Sequence, residues 1–114
     1  GRVMPFGTMG GEGQPQTQAA LYSRYACHGV PLQRAVSAPR WLLGRTWGAE
    51  STTLKLESRF DPALIGALRD TGHTVEIVAE FDDMMGHAGA LVRHPNGVLE
   101  GAADPRSDGG VAGF

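Results

Sequence analysis

Four glycines fall within seven positions of the stretch Met4-Pro5-Phe6-Gly7-Thr8-Met9-Gly10-Gly11-Glu12-Gly13-Gln14-Pro15-Gln16, and no other feature restricts the fold so tightly. A short apolar segment runs through a glycine turn into a helix start, where Pro15 suits the first turn because its missing N–H would be unpaired there. Glycine serves where backbone takes positive φ or where another group must approach the main chain. Amides exposed at such a turn, beside a helix N-terminus, form a site for negative charge. Two readings stand together: Gly10 and Gly11 present amides to an oxyanion or carboxylate, or the stretch is a tight structural turn.

A chain of 114 residues makes one domain at most, large enough to bury a real core. Its 17 glycines and 7 prolines are spread among periodic segments, which implies many turns and not disorder. A formal charge of −2, with one lysine and scattered arginines, argues against nucleic acid as a partner. No apolar run approaches a membrane span, and the first residues lack a signal peptide's apolar region. The one cysteine, Cys27, excludes an internal disulfide and reads as a buried, inert thiol on a helix. Beginning at Gly1 and entering an apolar segment at once, the sequence reads as cut from something longer.

The pattern predicts a strand over Val3–Phe6 and a helix over Gln16–His28, with Ala19, Tyr22 and Ala26 on one face, Leu21 and Tyr25 close beside it, and Gly29 as its stop. Pro31 opens a second helix, with Leu32, Ala35 and Val36 at helical spacing and Pro39 ending it. Strands are expected over Arg40–Leu43 and Thr52–Glu57. Asp61 caps a helix with Pro62 at its first position; Leu64, Ile65 and Leu68 form its apolar face, and Gly72 ends it. Thr74–Phe81 reads as a strand, and Ala88–His94 and Val98–Gly101 as a hairpin turning at Asn96-Gly97. This order gives an α+β fold with an antiparallel sheet and helices.

Most chemistries find no parts here. The histidines lie 45, 14 and 7 residues apart, which matches no compact metal spacing, so neither a metal nor another cofactor is expected. The glycines lack the Gly-Lys-Ser/Thr of a phosphate loop and the third glycine of a dinucleotide fingerprint. No serine sits in a nucleophile elbow. The chain thus offers groups that stabilise charge and none that starts a covalent reaction.

Gly7-Thr8-Met9-Gly10-Gly11 ahead of a helix, then Ala38-Pro39-Arg40-Trp41, then the closing run from Gly101-Ala102-Ala103-Asp104-Pro105-Arg106 to Gly113-Phe114, resembles the C-terminal half of the γ-glutamyltranspeptidase small subunit. The resemblance covers nearly the whole chain. It implies a single partial domain over 1–114, part of the αββα sandwich of an N-terminal-nucleophile hydrolase that cuts itself to expose a threonine. That threonine attacks a γ-glutamyl amide, such as that of glutathione, with its own amine as base. It further implies that Gly10 and Gly11 donate their amides to the oxyanion, and that Glu12, Gln14 and Gln16 line the acceptor side unless they are plain exposed helix-start residues.

The threonine and the carboxylate-binding residues are not among these residues, so the segment alone is expected to be inactive and to need the rest of its polypeptide as partner. Thr8 is internal and has no free amine. Met9 and the Glu12–Gln16 run look like a γ-glutamyltranspeptidase-like branch, in which glutaryl and other acyl amides are also cleaved. By resemblance the compartment is either cytoplasmic or periplasmic and secreted. The rival expectation is a non-catalytic binding or scaffold domain, and an uncovered sheet face or edge would favour self-association of the segment. Arg40 and Arg106 read as structural, with Arg106 pairing to Asp104 or Asp108.

Overall fold

The computed structural model describes residues 1–114. Six strands divide between two three-stranded sheets, which places the chain in the α+β class. The first sheet has the order β1 (Phe6–Met9), β5 (His87–Arg93), β6 (Leu99–Ala103), and is antiparallel throughout. The second sets β2 (Trp41–Leu43) antiparallel to β3 (Leu54–Glu57), with β4 (Val75–Val78) running parallel to β3. An all-antiparallel pattern was the expectation. The parallel pair arises because helix α3 (Pro62–Asp70) is a crossover long enough to bring the chain back in the same direction.

Helices α1 (Gln14–Tyr22) and α2 (Leu32–Ser37) cover one face of the first sheet. Leu21, Leu32 and Val36 pack there against Ala88, Ala90, Val92 and Ala102. Small side chains on the strands let the helices sit close, and the alternation along β5 sends His87, Gly89, Leu91 and Arg93 to the opposite face. The second sheet has a far smaller core of Leu54, Leu56 and Ile65, flanked by Phe60, Leu68 and Val75. Two unequal cores make an elongated body of 47 × 27 × 20 Å. Its radius of gyration of 15.1 Å exceeds the roughly 13 Å of a compact 100-residue domain.

The start of α3 follows its sequence signals: the Asp61 carboxylate accepts from the Ala63 amide at 2.8 Å, and Pro62 takes the first turn. Its face is narrower than expected, since Ile65 is buried but Leu64 is 45% exposed. The first strand is displaced from Val3–Phe6 to Phe6–Met9, with Val3 making only an isolated bridge to Arg93. Gly7 therefore lies in a strand and not in the turn. Pro5 explains the shift: it has no N–H to complete the ladder, although its carbonyl still accepts from Leu91.

Helix α1 begins two residues earlier than expected and passes at Ser23–Cys27 into a wider π turn. The buried face is Thr17, Ala20 and Leu21, while Ala19, Tyr22 and Ala26 are exposed. Leu21, expected beside the Ala19 face, is buried. A π turn rotates its residues around the axis, which accounts for Ala26. Cys27 is carried outward with them and is exposed, not buried.

Candidate active site

The glycine corner forms where β1 stops. Gly10 adopts φ +145°, Gly11 takes φ +55° in a short 3-10 turn over Gly11–Gly13, and α1 follows directly. Both values lie where L side chains are strained. Packing adds its own demand. A Cβ on Gly10 would stand 3.2 Å from the Gly86 Cα, one on Gly86 would fall 2.0 Å from the Met9 carbonyl oxygen, and one on Gly13 would meet Leu42 at 2.7 Å. The corner is two backbones laid against each other, so tight packing and special conformation coincide there.

Its hydrogen bonding is lopsided. The Gly10 carbonyl accepts from Thr46 Oγ1 at 2.9 Å and from the Gly13 amide at 3.0 Å. The Gly10 amide donates to no acceptor within the chain, and the Gly11 amide donates to no turn, loop or side-chain acceptor. A main-chain donor left over in a buried residue calls for a partner.

The segment behind the corner is held from both sides. Asp82 caps a short turn over Asp83–Met85 through the Met84 amide. The Met85 carbonyl then accepts from Thr17 Oγ1 and Arg40 Nη1, each at 3.1 Å, and Arg40 Nη1 also reaches the Gly86 carbonyl at 3.1 Å. Arg40 is in turn fixed by Asp104 Oδ2 at 2.6 Å and by the Val36 carbonyl at 2.9 Å. Asp104 accepts from the Ala88 amide and from Arg106, and Arg106 grips both oxygens of Glu57 at 2.7 and 2.6 Å. Glu57 closes the set by accepting from the Arg40 and Asp82 amides and from Arg59.

All four charges are buried: Arg40, Glu57, Asp104 and Arg106 expose 1, 0, 2 and 7% of their surface. Burial disfavours the Asp104 carboxylate, but the Ala88 and Arg106 amides and two guanidinium groups outweigh it and hold its pKa below the ordinary value. For Arg40 burial prevails, reinforced by the like charge of Arg106, and lowers its pKa. Burial also works against Arg106, yet its bonds to Glu57 and Asp104 raise its pKa overall. Arg106 thus pairs with Asp104, one of the two expected partners, and with Glu57, which was not foreseen.

The predicted acceptor-side residues separate. Glu12 is exposed at the mouth of the corner with Arg45 at 3.7 Å. Its own main-chain amide, and secondarily Arg45, lowers its pKa. The Gln14 side chain engages nothing in the chain, whereas Gln16 spends its amide on a two-point clamp to the Leu43 main chain at 2.9 and 2.8 Å. No group of three or more His, Cys, Asp or Glu residues is placed to hold a metal ion, and no helix is long and apolar enough to cross a membrane. An open groove of about 570 Å³ lies on the uncovered face of the first sheet, bounded by β5 and the residues after Asp104; the glycine corner does not line it.

Sequence reasoning missed Thr46, Glu57, Gly86 and His87. Only Gly86 carried a signal, as a glycine between Met85 and a histidine in a polar loop.

The gamma-glutamyltranspeptidase family profile matches residues 1–114. The chain is 67% identical over all 114 residues to the oxamate amidohydrolase proenzyme of Klebsiella pneumoniae, covering 22% of that protein. It is 49% identical over 109 residues to the glutathione hydrolase-like YwrD proenzyme of Bacillus subtilis, covering 96% of this chain and 21% of that one. The cephalosporin acylase of Bacillus halodurans superposes with a TM-score of 0.85 at 32% identity, over 96% of this chain and 20% of its own. The Bacillus anthracis transpeptidase CapD shares the fold at a TM-score of 0.82 and 22% identity. The chain spans about a fifth of the length of the curated relatives it matches. Sequence and architecture agree: it belongs to the gamma-glutamyltranspeptidase family and carries the N-terminal-nucleophile hydrolase fold.

Proposed function

We propose that this segment supplies the oxyanion site of an amidase whose threonine nucleophile lies on polypeptide outside residues 1–114. The observation that carries this reading is the unsatisfied amide of buried Gly10, held at φ +145° on a corner that cannot relax. Attack on an amide carbonyl puts negative charge on its oxygen. The Gly10 and Gly11 amides receive that charge without reorganising, because Gly86, Thr46 and Arg40 fix the backbone around them. The attacking threonine uses its own amine as base, and the acyl group passes to water or an acceptor amine. Glu12 and Gln14 are free to line the acceptor side, while Gln16 serves by holding β2. The remainder of the polypeptide is the obligatory partner, and the segment alone is silent.

For the substrate, the 67% identity to an oxamate amidohydrolase favours a short amide bearing a carboxylate next to its scissile carbonyl. A γ-glutamyl or glutaryl amide is the second reading, supported by the glutathione hydrolase-like and acylase relatives. The test is Gly10→Ala in the full-length enzyme, assayed on oxamate and on a γ-glutamyl anilide. Alanine keeps the N–H but cannot hold φ +145° beside Gly86, so the donor is turned away from the oxyanion. Loss of one such donor costs about 2.7–4 kcal/mol, a drop of roughly 10²–10³ in kcat with KM little changed. An unaltered kcat in a variant that melts cooperatively would remove Gly10 from the chemistry, and the anilide being the better substrate would exchange the two readings.

A further inference from the structure

We infer that His87 is a specificity-determining residue of this site, its imidazole binding the carboxylate that a short substrate carries beside the scissile carbonyl. The inference rests on the oxamate-type reading proposed above. Three observations place the residue.

His87 directly follows Gly86, whose backbone packs against Gly10, and in the β1–β5 ladder it stands opposite Met9, the residue before Gly10. Opposed residues in an antiparallel pair send their side chains to the same face, with Cα atoms about 4.5–5.5 Å apart. An imidazole at this position is therefore within side-chain reach of the corner. The alternation of β5 also turns His87 away from the helices, onto the sheet face that only the residues after Asp104 partly cover.

The second observation is an unmet hydrogen bond. His87 Nε2 is enclosed by the protein and has no hydrogen-bond partner, one of only three buried side-chain atoms in that condition. The other two belong to Arg24 and Arg59, arginines that bond elsewhere through Nη2. The His87 side chain, half-buried overall, makes no hydrogen bond to the chain, and a ring nitrogen shut off from water without a partner is costly unless something arrives to satisfy it.

The third is the surroundings. His87 borders the open groove, where its neighbours along the same face are Gly89 and, on β1, Gly7, which leave room beside the ring. Short and long substrates then differ in what they present to it. In an oxamate-type amide the carboxylate is bonded to the carbon under attack, so an anion held at the corner lies within one residue's reach. In a γ-glutamyl amide the corresponding carboxylate is several bonds farther off and falls elsewhere.

The test uses the full-length enzyme with oxamate and its uncharged counterpart oxamide. His87→Ala is expected to raise KM for oxamate at least tenfold while changing oxamide hydrolysis less than threefold. His87→Gln, which keeps a donor near the Nε2 position, should recover most of the oxamate KM. Equal losses on both substrates, or an unchanged KM for oxamate, would overturn the inference and leave His87 a packing residue. His87→Gln also guards against misfolding, since a cooperative melt with no recovery of KM would count against the role. A wild-type enzyme that fails to hydrolyse oxamate would instead defeat the substrate reading, and this inference with it.

Discussion

The two sheets handle burial differently. The first, under α1 and α2, closes a core in which Leu32, Val36 and Val92 are inaccessible. The second has an apolar cluster of just Leu54, Leu56 and Ile65, and leaves Leu43 51%, Leu64 45%, Ile77 42% and Trp41 36% exposed. The glycine corner is an extension of the well-packed half, where its backbone can be held in strained conformations. The other half contributes Thr46 and Glu57, which reach across to it. Between the halves lie the buried set of Arg40, Glu57, Asp104 and Arg106, the buried Leu42 side chain against Gly13, and the Gln16 clamp on Leu43. Charges joined by hydrogen bonds specify one relative placement, because any slip leaves them unpaired.

Cutting that joint is expected to have the largest effect. Arg106→Met leaves Glu57 with Arg59 and two main-chain amides alone and takes the guanidinium from Asp104 Oδ1, at a cost of about 3–5 kcal/mol, read from urea unfolding of the full-length protein. Acid should act on the same joint. The lowered pKa of Asp104 means its stabilisation is complete above the ordinary value of 3.8 and is lost as pH falls through its folded-state value. The urea midpoint should therefore fall below about pH 4 in the wild type and fall less steeply in Asp104→Asn. An Arg106→Met variant as stable as the wild type would show that the halves hold together by other means.

Deleting one side chain from each core sharpens the contrast at a smaller scale. Leu32→Ala should cost about 4 kcal/mol and Ile65→Ala about 2, the first site being fully enclosed and the second able to collapse toward solvent. Equal losses would mean that the second core is closed by the remainder of the polypeptide. Smallest of all, Asp61→Ala removes only the cap of α3 and should cost about 1 kcal/mol, measured as a shift in melting temperature.

How much the sequence disclosed follows the same division. Features written in adjacent residues were legible: the Asp61-Pro62 start, the Pro31 and Pro39 limits of α2, and the Asn96-Gly97 turn. So was the glycine corner, although its strand was read three residues early because Pro5 has an extended conformation without a ladder donor. Features made by distant residues were not legible. Glu57 falls in an alternating strand where a charge reads as solvent-facing, yet all four β3 residues are buried because this sheet has material on both faces. The parallel pairing of β3 and β4 depends on how α3 returns the chain, which no local spacing encodes. His87 offered no pattern at all, since its meaning comes from standing opposite Met9.

The Asp104 side of the joint has a consequence in time. Arg40 is held under the corner by Asp104 as well as by the Val36 carbonyl, and a ribosome reaches Asp104 roughly ninety residues after Gly10, about 5–20 s later at ordinary rates of synthesis. Until then that arginine lacks its charged partner. The corner's full support is thus among the last parts of this segment to be made.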